Sequence, residues 1–244
     1  AQDIGYYSFA GCHKLKSVVI PATAYIDEGT PAAIFARGYY ARTSVTAWKL
    51  VDKKLTLAWY FDAPSNSAYA GQGNHGLSVN DVDNDGFDEI IYGSLCLDHN
   101  GSVLYTTGLG HGDAMHVSDW NGDGKLEVFQ VHEDAAAKYH IELHDAKTGE
   151  IIWGVFNGKD TGRGMAADID PRYPGAEMWA SANGNTFDCS GNVIYKDKRP
   201  SINFSLFWDG DLLMELFDYN NQTTYTPQVQ KWNYLREKTE ILLT

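Results

Sequence analysis

The chain has 244 residues, 43% of them hydrophobic and 13% aromatic, enough to bury a large core as one domain or one array of repeats. A formal charge of −13 opposes the basic surface that nucleic acid or an anionic membrane requires, so neither is expected as a partner; no apolar run approaches the ~20 residues of a membrane span. Three cysteines, Cys12, Cys96 and Cys189, form no CxxC pair, so neither a zinc site nor a disulfide framework is expected.

The first segment, 1–22, opens AQDIGYYSFAG without the basic and apolar regions of a secretion signal, which is expected to have been removed or to lie upstream. From Thr23 onward one pattern recurs: an apolar strand, an Asp-rich turn and a second apolar strand. TAYIDEGTPAAIFARG at Thr23 is the most degenerate copy. HGLSVNDVDNDGFDEIIYG at His75 and DAMHVSDWNGDGKLEVFQV at Asp113 are the clearest, and GMAADIDPRYPGAEMWAS at Gly164 and FSLFWDGDLLMELFD at Phe204 are weaker. With Asp27, Asp81, Asp119, Asp168 and Asp209 as leading residues, the steps are 54, 38, 49 and 41 residues. A four-stranded propeller blade takes roughly 40–50. Outer hairpins keep the same phase in LDHNGSVLY, LHDAKTGEIIW and FDCSGNVIY, each a strand, a Gly-containing turn and a strand. The expected fold is all-β, a β-propeller segment of about five four-stranded blades near 23–69, 70–110, 111–160, 161–199 and 200–244. Only KWNYLREKTEILL, from Lys231, leaves strand and helix open.

The Asp turns carry their own chemistry. In DVDNDGFDE, side-chain oxygens recur at Asp81, Asp83, Asp85 and Glu89, and Phe87 can offer its carbonyl. Calcium takes 6–8 oxygens at about 2.3–2.6 Å, and alternate inward carboxylates on a short loop supply most of them. DWNGDGKLE repeats the arrangement with Asp119, Asn121, Asp123 and Glu127, and with the Lys125 carbonyl. The last acid falls at position 9 between strands, unlike the helix-flanked position 12 of an EF-hand. Asp168, Asp170 and Glu177 form a looser third version with a Pro-containing insertion. Asp209, Asp211 and Glu215 fit the spacing poorly, and Asp27 is expected to bind nothing. Calcium is therefore the expected cofactor, and each ion would return two positive charges to an acidic chain.

Strands of a blade alternate in direction, so the Asp turns share one face and the starts of the first strands lie on the other. At that second face come Asn74, His75, His111, Asp113, Arg163 and Asn203, with Arg37, Tyr39, Tyr40 and Arg42 of RGYYAR, His132 and Glu133 of HED, and Asn183 in the loops after second strands. Such a polar rim at a channel mouth is a candidate substrate site, where the two tyrosines can stack on sugars. His99, His140 and His144 fall near outer hairpins, where a surface role is expected.

RGYYAR, AGQGNHGLSVNDVDNDGFDEIIYG, GLGHGDAMHVSDWNGDG, EVFQVHED, GRGMAADIDPRYPGAEMW and FWDGDLLMEL, in order between Thr23 and Thr244, together resemble the family 11 polysaccharide lyases, the rhamnogalacturonan lyases, over the central part of their propeller domain. The resemblance implies an eight-bladed propeller with several structural calcium ions, in a secreted enzyme of a plant-wall degrader. It also implies β-elimination in the anionic polysaccharide rhamnogalacturonan I. The remaining blades or a symmetry mate would complete the ring.

In that reaction the C5 proton of a galacturonate leaves and the 4-O-linked rhamnose is expelled. A carboxylate beside C5 suppresses the acidity of that proton, so a cation must neutralise it and a base must stand near C5. His75 and His111 suit base and acid, in either assignment, and Arg163 suits bidentate pairing with the carboxylate. The same three match the family motifs. Arg37, Tyr39, Tyr40, Arg42, Asn74, Asp113, His132 and Glu133 are the expected substrate contacts. The competing reading is a non-catalytic calcium-binding propeller that binds glycan or a protein partner, or an inactive truncated lyase. An adhesion module has no need of His75, His111 and Arg163 at matching positions of successive blades.

Overall fold

The computed structural model describes residues 23–26, 31–219 and 225–244. The segment 1–22 with Cys12, and the degenerate turn at Asp27, lie outside the described residues.

Short apolar runs punctuated by Asp/Gly turns have no length for a helix, and none is present among the described residues. Among the described residues, twenty strands form five four-stranded antiparallel sheets, each made of consecutive strands in meander order. The first holds β1 (Thr23–Tyr25), β2 (Pro31–Arg37), β3 (Thr43–Val51) and β4 (Lys54–Ala63). The second holds β5 (Ser78–Asn80), β6 (Glu89–Tyr92), β7 (Leu95–Leu97) and β8 (Val103–Thr106). The third holds β9 (Met115–Ser118), β10 (Glu127–Val131), β11 (Ile141–Asp145) and β12 (Ile151–Val155). The fourth holds β13 (Gly164–Ala167), β14 (Glu177–Ala180), β15 (Thr186–Phe187) and β16 (Val193–Tyr195). The fifth holds β17 (Phe204–Leu206), β18 (Glu215–Tyr219), β19 (Pro227–Asn233) and β20 (Lys238–Leu243). The ambiguous KWNYLREKTEILL is thus the β19–β20 hairpin.

The period of two decides how the sheets stack. On β6, Ile90 packs toward the first sheet and Ile91 toward the third. On β10, Val128 meets the second sheet, while Phe129 and Val131 meet the fourth. On β14, Met178 and Ala180 face the third sheet and Trp179 the fifth. Second strands are therefore apolar on both faces, and β6, β10 and β14 are buried throughout. The outer faces of the end sheets stay open, with Tyr25, Tyr60, Phe204, Ile241 and Leu243 exposed. The five sheets do not close on themselves.

Antiparallel order puts the β5–β6, β9–β10, β13–β14 and β17–β18 loops, which are the Asp turns, at one end of the stack. The starts of first strands and the loops after second strands lie at the other. First strands lie side by side, and just before β5 and β9 the backbone of Asn74 bridges that of Gly112 in parallel. Gly112 is required there, because a Cβ would fall 2.1 Å from the Val131 carbonyl oxygen. That close approach brings the segments carrying His75, His111 and Asp113 together.

Candidate functional site

Four groups from three segments converge at the strand-start end: His75, His111, Asp113 and Glu133 each offer a ligand atom, all within 4.8 Å of one another. Asp113 is the hub. Its Oδ1 lies 2.9 Å from His75 Nε2 and 3.3 Å from His111 Nε2, and its Oδ2 lies 3.8 Å from Arg163 Nη1. Glu133 Oε2 lies 3.8 Å from His111 Nε2 and accepts a hydrogen bond from the Tyr40 hydroxyl at 3.3 Å. His111 Nδ1 donates to the Gly73 carbonyl at 2.7 Å, which turns the Nε2 lone pair toward the two carboxylates. Above them Tyr39 stacks on His111 with ring centroids 4.8 Å apart and leans on His75 at 4.3 Å.

Buried polar atoms that lack a well-formed hydrogen bond test whether this cluster suits a cation. His111 Nε2 and Asp113 Oδ1 are two such atoms, and both point into the group. Burial, then the Asp113 charge, push the Glu133 carboxyl above its usual range. A mixed imidazole and carboxylate set with converging lone pairs suits a divalent ion. His75 and His111, the expected base and acid in either assignment, both turn their Nε2 atoms to Asp113 Oδ1.

Arg163 stands at the rim, 59% exposed at its side chain, with Nη1 donating to its own neighbour's carbonyl at Gly162. Two clefts open beside the cluster. One of about 710 Å³ is lined by Tyr40, His111, Glu133, Lys138 and Asp160. The other, about 550 Å³, runs along the first strands past Asp113, His116, Arg163 and Asn203.

Other expected contacts do not join the cluster. Asn74 is only 2% exposed, with its Oδ1 accepting the Gly76 N–H, so it shapes the turn before β5. His132 is fully buried and faces Glu142 Oε1 and the Gly110 carbonyl, each at 3.3 Å. Arg42 is paired bidentately with Asp62 of β4 at 2.8 Å, and Arg37 is exposed at the end of β2. His140 and His144 are buried, not surface residues, while His99 is half-buried against Phe87. His144 Nδ1 lies 3.0 Å from Glu142 Oε2, and its Nε2 lies 3.3 Å from the Tyr105 hydroxyl. Sequence reading missed this buried His132–Glu142–His144–Tyr105 chain beneath Glu133. Its one available signal was the alternation HIELHD, which puts Glu142 and His144 on one face of β11.

At the opposite end, the Asp turns share one scaffold. Val82 N–H donates to Glu89 Oε2, Trp120 N–H to Glu127 Oε2 and Asp170 N–H to Glu177 Oε2, all at 2.9 Å. In the first two, Phe87 N–H meets Asp85 Oδ1 and Lys125 N–H meets Asp123 Oδ1. Asp81, Asp83 and Asp85 come together, as do Asp119, Asp123 and Glu127, and Asn121 joins through its bond to Glu127 Oε1. Glu89 is 1% exposed and its Oε1 has no hydrogen-bond partner, an orphan acceptor turned to the loop interior. These two loops fit a calcium ion. The third version departs from expectation. Asp170 is taken bidentately by Arg172 and also accepts from the Tyr195 hydroxyl, so Asp168, Asp170 and Glu177 do not gather as one ligand group. Arg172 further donates to the Tyr234 carbonyl, tying the fourth sheet to the fifth.

The sequence profile described as "Rhamnogalacturonan lyase family 11, C-terminal domain" matches residues 17–244. The chain belongs to rhamnogalacturonan lyase family 11. It is 51% identical to the rhamnogalacturonan endolyase YesW of Bacillus subtilis over 91% of its length, and 51% identical to the exolyase YesX of the same organism over 88%. It spans 35% and 37% of those two proteins, about a third of each. The crystal structure of YesW superposes with a TM-score of 0.83, covering 91% of this chain and 37% of that one. That of YesX superposes with 0.86 at 47% identity, covering 91% and 38%. Family 11 membership thus rests on nearly the whole chain, including both ends of the sheets.

Proposed function

We propose that the five sheets are an arc of a calcium-stabilised β-propeller in a secreted lyase, and that its strand-start end supplies the carboxylate-activating part of β-elimination on rhamnogalacturonan I. The convergence of His75, His111, Asp113 and Glu133 beside Arg163 carries this reading. The named activities of YesW and YesX, and the face-to-face stacking of four-stranded meanders, support it.

The chemical requirement is to make C5–H acidic beside a carboxylate. A calcium ion held by His111, Asp113 and Glu133, with His75 as fourth ligand, would supply Lewis-acid neutralisation of the uronate carboxylate when bound. The chain's own groups do the rest. Arg163, exposed and anchored through Gly162, offers a guanidinium edge to the same carboxylate and favours the charge that develops as the proton leaves. Tyr39 and Tyr40 wall the site and present ring faces to a sugar. The His111 tautomer, fixed by Gly73, keeps an acceptor nitrogen directed inward. With the Nε2 atoms of His75 and His111 both turned to Asp113 Oδ1, these histidines serve carboxylate neutralisation rather than C5 proton abstraction or leaving-group protonation.

The test follows the absorbance of the unsaturated uronate on rhamnogalacturonan I, with calcium and with chelator. A calcium-dependent rise that His111→Ala abolishes at unchanged fold is expected. No rise from folded, calcium-loaded protein would defeat the lyase reading for this chain and leave the glycan-binding one.

A further inference from the structure

The fifth Asp turn raises a question that its spacing alone does not. Its scaffold is that of the second and third sheets: Trp208 N–H donates to Glu215 Oε2 at 2.8 Å, and Leu213 N–H to Asp211 Oδ1 at 2.9 Å. These match the Val82–Glu89 and Phe87–Asp85 bonds of the second sheet. Gly210, like Asn84 and Gly122, has a positive φ five residues before the terminal Glu. Asp209 therefore corresponds to Asp83, Asp211 to Asp85 and Glu215 to Glu89. The leading position, directly after the first strand, holds Phe207. Taking Asp209 as the leading residue put this turn two residues out of register, which is why its spacing looked poor.

The carboxylates of Asp209, Asp211 and Glu215 do converge. Between them stands the Lys231 ammonium, reaching in from β19 of the same sheet, with Nζ 2.5 Å from Asp209, 2.7 Å from Asp211 and 2.8 Å from Glu215. We infer that Lys231 is a built-in cation that takes the place of the divalent ion in the fifth Asp turn. Loss of the leading carboxylate and gain of one fixed charge go together. Three carboxylates around one ammonium leave less uncompensated charge than four would, and an ammonium tethered to β19 needs no ion from solution. Burial works against the charge, but the hydrogen bonds that the ammonium donates to Asp209 and Asp211 and its pairing with Glu215 outweigh it and hold it above the ordinary lysine range. The fifth sheet is thereby independent of calcium.

The inference rests on the turns of the second and third sheets being calcium sites, and the test separates the two. Bound calcium is counted by elemental analysis of the dialysed full chain and its variants. Lys231→Met is expected to carry one more calcium ion per chain than the unsubstituted protein, whereas Asp209→Asn leaves the unsubstituted count unchanged. Asp81→Asn and Asp119→Asn each lower it by one; no loss in either would sink the calcium reading of those turns irrespective of Lys231. An unchanged count in folded Lys231→Met, or a drop in Asp209→Asn, would overturn the lysine assignment. If Lys231→Met does not fold, amide exchange in the unsubstituted chain decides the matter. Chelator should speed exchange at β6 and β10 by ~10-fold or more and leave β18 and β19 unchanged. Equal acceleration in all four strands would refute the assignment.

Discussion

At one end of the five sheets the same short loop is built again and again; at the other, no two neighbouring segments are alike. The repeated end satisfies its own backbone, with each terminal Glu accepting the N–H seven residues earlier. The opposite end gathers His75, His111, Asp113 and Glu133 from different sheets and leaves His111 Nε2 and Asp113 Oδ1 without a proper partner. Repetition serves stability, because every four-stranded sheet needs its turn closed. Buried polar groups left without a partner carry a desolvation cost that a bound ligand would offset.

The largest effect that sharpens this contrast should come from below the cluster. Glu142, fully buried between His132 and His144, is expected to lose about 3–5 kcal/mol on substitution by Leu, measured by denaturant unfolding. Its burial raises the carboxyl, yet His144 and His132 more than compensate and hold it below the ordinary Glu range. A depressed folded value means the contribution is present above the unfolded pKa near ~4.3 and is lost as pH falls through the folded value. Acid unfolding below that point should therefore be blunted in the variant. A variant as stable as the parent would show that this chain of histidines merely fills space.

Next comes Arg163→Ala, expected to lower turnover of rhamnogalacturonan I by about 10²–10³-fold with the melting temperature unchanged, as for loss of one group that stabilises developing charge. Chelation should have a smaller effect, on stability: about 2.7 kcal/mol is lost where free calcium had stood at 100 times its dissociation constant, read as a melting shift. The loss should be confined to the second and third sheets. Smallest is Arg42→Ala, where only an exposed, solvent-screened pair with Asp62 is lost, so neither the melting temperature nor turnover should change measurably. A large activity loss there would restore Arg42 to the site.

The contrast also explains what could be read from residue order. All-β meanders, the Asp turns and the two-faced second strands follow from periods of two and from a nine-residue pattern, so local sequence carries them. The chemical end depends on which loops the stacking brings together. Strand direction gave the end on which His75, His111, Asp113, Glu133 and Arg163 lie, but it picked out Asn74, His132, Arg37 and Arg42 equally, which stay outside the cluster. The roles of these residues were not legible, because hydrogen bonds such as His111 to Gly73 or His132 to Glu142 cross between segments 10 to 38 residues apart. Lys231 was invisible for the same reason: it lies 20 residues after Asp211 and enters the turn only through the pairing of β18 with β19.

One paired measurement bears most directly on the division between the two ends: melting temperature and unsaturated-uronate production in Glu133→Gln and Glu89→Gln, each with calcium and with chelator. Glu133→Gln should keep the melting temperature and lose turnover, while Glu89→Gln should lose calcium-linked stability and keep turnover per folded molecule. Parallel losses of both properties in both variants would contradict the separation of chemistry from stabilisation.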